Sequence, residues 1–472
     1  MSQTSQLQER IRQGRALRKR AGRGSHKAIG NTKRDPVTLL EASSKGRVEQ
    51  LIPLRYGRML ASPFAFYRGS AIIQAHDLAG TPHTGISHQI CGDCHLMNFG
   101  GFATPERNLV FDLNDFDETH PGPWEWDLKR LVASLTICAR HLGFKSGTAD
   151  DIVAAAVNNY RDFMAKYAEM GALELWYDKI TLAGIFEKSQ YAATRKVLAR
   201  SMAKAQQRTH DNLLPKMGQK VDGRWMMSDA PPVLFHIHGG NTLFAADEDW
   251  AQLENWESLA NKLFNEYRTT LSPSHRQLLS YFKMQDLAFK VVGVGSVGTR
   301  CLVLLMTDDQ DQPLFLQIKQ AVKSVLAPYV PVGKSTFKHE GQRVVAGQRM
   351  MQATSDLFLG ASTGPSGRYF YLRQLRDMKI SAEVEMFDEF MLGRYALLCG
   401  RTLARAHARA GGYAPEISGY IGKGAQFAEA LVKYANGYAD QVQKDFEAFR
   451  AACRTGRLMA RSEEDFVADF SV

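Results

Sequence analysis

The sequence predicts an α+β protein in which a small antiparallel β region is set within a larger helical body. Two observations carry that reading. From about Asp286 the residues LAFKVVGVGSVGTRCLVLLM and then PLFLQIKQA show β-branched and apolar alternation, separated by the turn-like DDQDQ. No other stretch of the chain is as strongly β-rich. By contrast, apolar residues at helical spacing dominate 150–278, interrupted around Asp222 to Gly240 by Gly, Pro and Asp, and return over 387–410 and 426–455.

The remaining elements follow in order. SPFAFYRGSAIIQAHDLAG lies within the segment from Leu39 to about Leu78, and a Gly- and His-rich stretch runs from Gly80 to Gly101. NLVFDLNDFDETHPGPWEWDLKRLVASLTICARHLG reads as a strand over Leu109–Leu113, a loop broken by Pro121 and Pro123, and an amphipathic helix from Trp126. A helix is expected over 338–356 and a further strand over 368–375. This divides the chain into a basic flexible N-terminal arm (1–38), a mainly helical region (39–280), a β-rich region (281–380) and C-terminal helices completing the helical part (381–472).

At 472 residues with 44% hydrophobic content, the chain is long enough to bury a large core in two or three globular units. No run approaches the roughly 18 apolar residues of a membrane span, and the first residues lack the apolar segment of a secretory signal, so a cytoplasmic location is expected. Residues 1–35 hold ten Lys or Arg against Glu9 and Asp35, which supplies +8 of the formal net charge of +10. The body is therefore nearly neutral, which argues against a nucleic-acid surface on it; the arm reads as solvated, available to an acidic partner. Six cysteines with one CxxC and no second pair make neither a disulfide framework nor a zinc ribbon.

The chemistry-bearing residues begin at CGDCHLMNFG, where Asp93 stands five residues before Asn98, and a short strand then delivers Asp112, Asp115 and Asp117. Phosphoryl transfer needs such a set. A carboxylate orients and deprotonates the attacking hydroxyl, while an amide oxygen and a second carboxylate hold the Mg²⁺ that neutralises charge on the phosphates. Gly-Asp and DxD segments also occur as plain turns.

These residues resemble the protein-kinase-like superfamily, in particular its aminoglycoside- and choline-phosphotransferase branch, whose loop runs HGDxHxxN followed by a strand and IDFxD. Gly92, Asp93, His95 and Asn98 match in place. The resemblance makes Asp93 the catalytic base, Asn98 and Asp115 the metal ligands, and Asp127 of PWEWDL a structural anchor for the loop. The family's His before Gly-Asp is Cys91 here, a departure that bears on loop packing.

Gly293, Gly295, Ser296 and Gly298 lie in a GxGxxG segment between two β-rich runs, and Lys319 ends an alternating strand 21 residues after Gly298. In protein kinases such a hairpin covers the ATP phosphates with backbone amides, and a strand lysine pairs with them. A dinucleotide loop would instead require a helix directly after the glycines and an acidic residue about twenty positions on. The helix carrying HEGQRVVAGQRMM offers Glu340 as the acidic partner of Lys319, with Gln348 as a second candidate, and RYFYLRQLRDM resembles the strand leading to an adenine-contacting hinge.

In kinases the glycine hairpin precedes the catalytic loop, whereas here it follows. The resemblance therefore implies a circularly permuted two-lobe fold, with FMLGRYALLCGRTLARAHARAG in place of the helix that normally feeds the catalytic loop. The chain is also similar over about residues 50–420 to a bacterial family known as domain of unknown function 2252, through SPFAFYRG, CGDCHLMNFG, FDLNDFDET, GPWEWDLKRL and QRVVAGQRMMQ.

The expected function is an ATP- and Mg²⁺-dependent phosphotransferase acting on a hydroxyl acceptor. No stretch marks an aminoglycoside, sugar, choline or protein pocket. Alternatives are a non-catalytic nucleotide-binding pseudokinase, an adenylyl transferase, a metallophosphohydrolase using Asp112, Asp115 and Asp117, and two readings of Cys91-Gly-Asp-Cys94-His95: a c-type haem attachment or a CxxC redox pair. Arg68 is read as capping a helix C-terminus, with contact to a phosphate as the alternative. Trp124 and Trp126 are read as core, and His238 as a structural histidine.

Overall fold

A computed structural model describes residues 3–207, 210–236, 256–331, 335–375 and 378–468. The β-rich region forms a six-stranded sheet in the order Gly360–Thr363, Tyr369–Gln374, Pro313–Gln320, Cys301–Thr307, Lys283–Lys290, Leu234–Phe235. Every neighbouring pair is antiparallel. Cys301–Thr307 is buried at every position because the sheet is covered on both faces. Leu302, Leu304 and Met306 enter a core with Tyr267, Phe289 and Phe370, while Val303 and Leu305 turn to a second cluster with Leu214, Met227 and Phe315. Lys283–Lys290, Cys301–Thr307 and Pro313–Gln320 follow the predicted alternation, and the strand expected over 368–375 is Tyr369–Gln374.

The largest core is helical. Trp124–His141 is buried from Trp124 to Ala139, with Trp124 and Trp126 packed in that core as expected. It packs against Ser146–Glu169 and Gln426–Arg454, while Glu389–Gly411 lies along Ser146–Glu169. Asp388 caps the start of Glu389–Gly411 by accepting from Met391 N at 2.7 Å, and Gly412, at φ 66°, closes its end in the left-handed region.

Short strands position the site. Ser87–Ile90 pairs with His120–Pro123, placing Ile90 opposite His120 and so clamping together the two ends of segment 91–119. Inside that segment Phe99–Ala103 pairs with Leu109–Leu113, and Ile380–Ser381 adds a third strand. Of these, only Leu109–Leu113 was expected. No strand was expected in the Gly- and His-rich stretch, and the segment with Pro121 and Pro123 was read as a loop, but their backbones pair with one another.

The basic flexible arm is a second correction. Helix Gln3–Ala16 packs on Ala414–Ile421, with Gly14 and Gly419 at the contact: a Cβ on Gly14 would stand 2.0 Å from Glu416 O, and one on Gly419 2.1 Å from Ile11 O. Arg10 pairs with Glu416 at 2.7 Å, and Arg18 donates to Gly419 O and Tyr420 O at that helix's C-terminal end. Deeper in, Arg34 bridges Asp77 at 2.6 Å and Asp445 at 2.5 Å. Four of the ten cations in this segment, Arg10, Arg18, Arg23 and Arg34, meet partners some four hundred residues away in sequence.

Candidate functional site

Segment 91–119 is held from behind by the first turn of Trp124–His141. Asp127 accepts from Cys91 N at 2.7 Å and Gly92 N at 2.8 Å, and His407 Nε2 lies 3.2 Å from the same carboxylate. Gly92 has φ 87°, and a Cβ there would meet Glu118 O at 2.2 Å, so no other residue fits. The resulting turn presents Asp93. Its Oδ1 accepts from Arg130 Nε at 2.8 Å, and its main-chain carbonyl accepts from Asn98 Nδ2 at 2.6 Å.

Asp112 lies behind this surface, fully buried against Arg405 at 2.5 Å. Two residues past the strand the chain emerges, and Asp115 and Asp117 reach Lys319 Nζ at 3.6 and 2.6 Å. Tyr371, opposite Lys319 in the sheet register, donates its hydroxyl to Asp117 Oδ1 at 2.7 Å. Burial works against ionisation of Asp115, yet Lys319 and then Arg373 hold its carboxyl at about 2. Burial likewise opposes the charge on Lys319, but Asp115 and Asp117 hold the ammonium well above its ordinary range. At Glu118 burial outweighs the pull of the Val325 amide and of Arg343, and pushes the carboxyl up to about 7.

The glycine segment joins the antiparallel strands Lys283–Lys290 and Cys301–Thr307, a strand–loop–strand unit rather than the strand–loop–helix of a dinucleotide site. Gly293 and Gly298 have φ 67° and 86°. Arg58 donates to Gly293 O at 2.7 Å, Arg47 to Val297 O at 2.6 Å, and Val48 N to Gly298 O at 2.8 Å. These bonds tether the loop to residues 47–58, which precede segment 91–119 in the chain. Gly295 and Ser296 line one cleft together with Asp93, Asn98, Asp115 and Asp117.

Glu340 does not pair with Lys319. It forms an ion pair with Arg343, three residues on, while Gln348 bonds Gln352 at 2.9 Å. Arg343 in turn donates to Thr119 O, to Asp117 O at 3.0 Å and to Val322 O at 2.9 Å, so this helix holds the acidic loop by its backbone. The acidic partners of Lys319 come instead from the loop that the resemblance had assigned to metal binding.

Sequence reasoning passed over Arg130, although Asp127 and Arg130 at i, i+3 share the helix face turned to segment 91–98. Tyr371 was visible only as a strand residue. Arg47, Arg55 and Arg68 also line the cleft. Arg68 sits in the last turn of Pro63–Gly69, yet it makes no hydrogen bond to a terminal carbonyl, and its Nε is buried without a partner.

Cys91 and Cys94 are fully buried, and Cys91 Sγ donates to Asp115 O at 3.3 Å, tying the two loops together. Burial pushes the Cys94 thiol up. Sulfurs packed in this way offer no open face for a haem and no ready thiolate for redox exchange. The Asp112 that a phosphohydrolase cluster would use is occupied by Arg405. His238 lies outside the described residues.

No curated protein and no solved structure matches the chain. A family model described as an uncharacterized protein conserved in bacteria (DUF2252) matches residues 47–452, and the chain belongs to that family.

Proposed function

We propose that this protein is an ATP- and Mg²⁺-dependent phosphotransferase with a kinase-like, circularly permuted two-lobe arrangement, acting on a hydroxyl acceptor. The observation that carries the reading is that Asp93, Asn98 and Asp115 line the same cleft as Gly295 and Ser296, with Lys319 bonded to the acidic loop, although some two hundred residues separate the two groups. The permuted order draws support from helix Glu389–Gly411. It follows the sheet in sequence yet packs behind the catalytic loop, supplying Arg405 to Asp112 and His407 to Asp127.

The donor set suits the metal. Among the described residues no three His, Cys, Asp or Glu side chains converge to hold an ion by themselves. That matches Mg²⁺, which keeps waters and takes phosphate oxygens beside one or two carboxylates. Asn98 and Asp115 are the ligands in this reading, and the bound ion would offset charge on the phosphates. In this reading Lys319 exchanges its carboxylates for phosphate oxygens, and the backbone of Gly293 to Gly298 covers them. Asp93, held by Arg130, orients the acceptor hydroxyl and takes its proton.

Calorimetry with ATP and Mg²⁺ tests the reading. Asp93→Asn should retain nucleotide binding and lose about 10² to 10⁴ in turnover. A wild-type protein that binds no ATP at millimolar concentration ends the proposal. Binding without turnover for any hydroxyl acceptor favours a nucleotide-binding scaffold.

A further inference from the structure

The arginines of the cleft lack what other buried arginines of this chain have. Arg34, Arg130 and Arg405 each meet a carboxylate at 2.5 to 2.8 Å. Arg47, Arg55 and Arg68 form no ion pair among the described residues. Arg55 is 1% exposed and donates only to neutral acceptors, Ser44 Oγ at 2.8 Å, Ser43 Oγ at 3.1 Å and Gly69 O at 2.9 Å. Its Nε has no partner among the described residues. Arg47 spends two donors on Ser43 O and Val297 O. Arg68 lies over the Phe64 ring at 5.8 Å and makes no hydrogen bond among the described residues.

Burying a guanidinium without an ion pair is costly; Arg55 bears that cost in full, and Arg47 and Arg68, half-buried in the same cleft, in part. Burial, and then the neighbouring Arg47, lower the Arg55 guanidinium to about 9, the signature of positive charge left uncompensated. A fork of fixed N–H donors matches the oxygens of a phosphoryl group. The place is also suggestive: the Gly295 backbone passes so close that a Cβ there would stand 3.1 Å from Arg68 O.

We propose that Arg47, Arg55 and Arg68 form a phosphoryl-binding subsite in the cleft, occupied either by the terminal phosphate of a nucleotide or by a phosphate carried on the acceptor. The choice between these two sources rests on the nucleotide reading above; the existence of the subsite does not.

The test is isothermal calorimetry with inorganic phosphate, pyrophosphate and tripolyphosphate, without metal, on the full chain and on Arg68→Gln and Arg47→Gln. Because Arg68 makes no hydrogen bond among the described residues, Arg68→Gln should keep the wild-type melting temperature, and Arg68→Lys should restore part of the affinity. Arg68→Gln should weaken tripolyphosphate about ten- to hundredfold. Wild-type protein that binds none of the three anions at millimolar concentration, or both glutamine variants binding as wild type does, overturns the subsite.

A comparison of ATP with ADP separates the sources. A nucleotide's terminal phosphate predicts that Arg68→Gln loses affinity for ATP and not for ADP. An acceptor phosphate predicts unchanged affinity for both nucleotides and loss of inorganic phosphate binding to the ADP-loaded protein. Tripolyphosphate binding without nucleotide binding would remove the nucleotide reading and leave the subsite standing.

Discussion

Asp112 and Asp115 stand three residues apart and play opposite parts. Asp112 is fully buried, with Arg405 on one oxygen and the Ala353 amide, at 2.8 Å, on the other. Asp127 is its counterpart across the loop, saturated by two amides and His407. Asp115 and Asp117 keep 31% and 28% of their side chains exposed and face a lysine. The buried pair has partners that the fold itself fixes: backbone amides and side chains of packed helices. The exposed pair shares one lysine ammonium, which in the proposed function is released to an incoming phosphate oxygen. Residue type decides nothing here; what matters is whether the partner can be exchanged.

The comparison breaks most visibly at Arg405. Arg405→Leu strands the Asp112 charge in the core and should cost about 3–5 kcal/mol, read from the midpoint of urea unfolding. A cost below about 1 kcal/mol would mean that Asp112 has another route to solvent or a proton. Asp127→Asn comes next. An amide offers one acceptor oxygen where two backbone N–H groups wait, so one of Cys91 N and Gly92 N goes unsatisfied at about 1–3 kcal/mol. Hydrogen exchange at those two amides should accelerate, and unchanged exchange would remove Asp127 as the loop's anchor.

The same contrast explains what could be read from sequence. The glycine segment and Lys319 were legible because a strand declares itself by local alternation, and the interval to Lys319 follows from two strands in succession. The two ends of Glu389–Gly411 were legible to within two residues for a similar local reason: Asp388 starts the helix and Gly412 stops it. Ser87–Ile90 and His120–Pro123 were not, since four residues rich in His, Gly and Pro carry no strand signal and are held only by each other. The N-terminal charges looked solvated because Glu416 and Asp445 cannot be matched to Arg10 and Arg34 without the fold. Glu340 was misassigned for the opposite reason. Its partner Arg343 lay three residues away on the same helix, and the local pairing rule outranked the distant analogy. The cleft arginines belong to no motif; what marks them is that none forms an ion pair among the described residues although acidic residues line the same cleft, visible only in three dimensions.

The smallest effect sharpens the comparison most. Lys319→Met removes a buried ammonium, whose desolvation opposes its own pairing, and leaves two carboxylates that already touch solvent, so the net change near pH 7 should be about 1 kcal/mol. Its pH dependence identifies the source. A carboxyl depressed in the folded state stabilises above its unfolded pKa of 3.8 and loses that contribution as pH falls through the folded value, here about 2 for Asp115. Wild type and variant should therefore differ by a constant amount above about pH 4 and converge towards pH 2, in paired urea titrations. The same variant should lose the nucleotide-induced rise in melting temperature. Convergence together with a lost rise would make Lys319 an exchangeable partner; a difference of several kcal/mol persisting below pH 2 would place it with Arg405, among the groups that hold the fold.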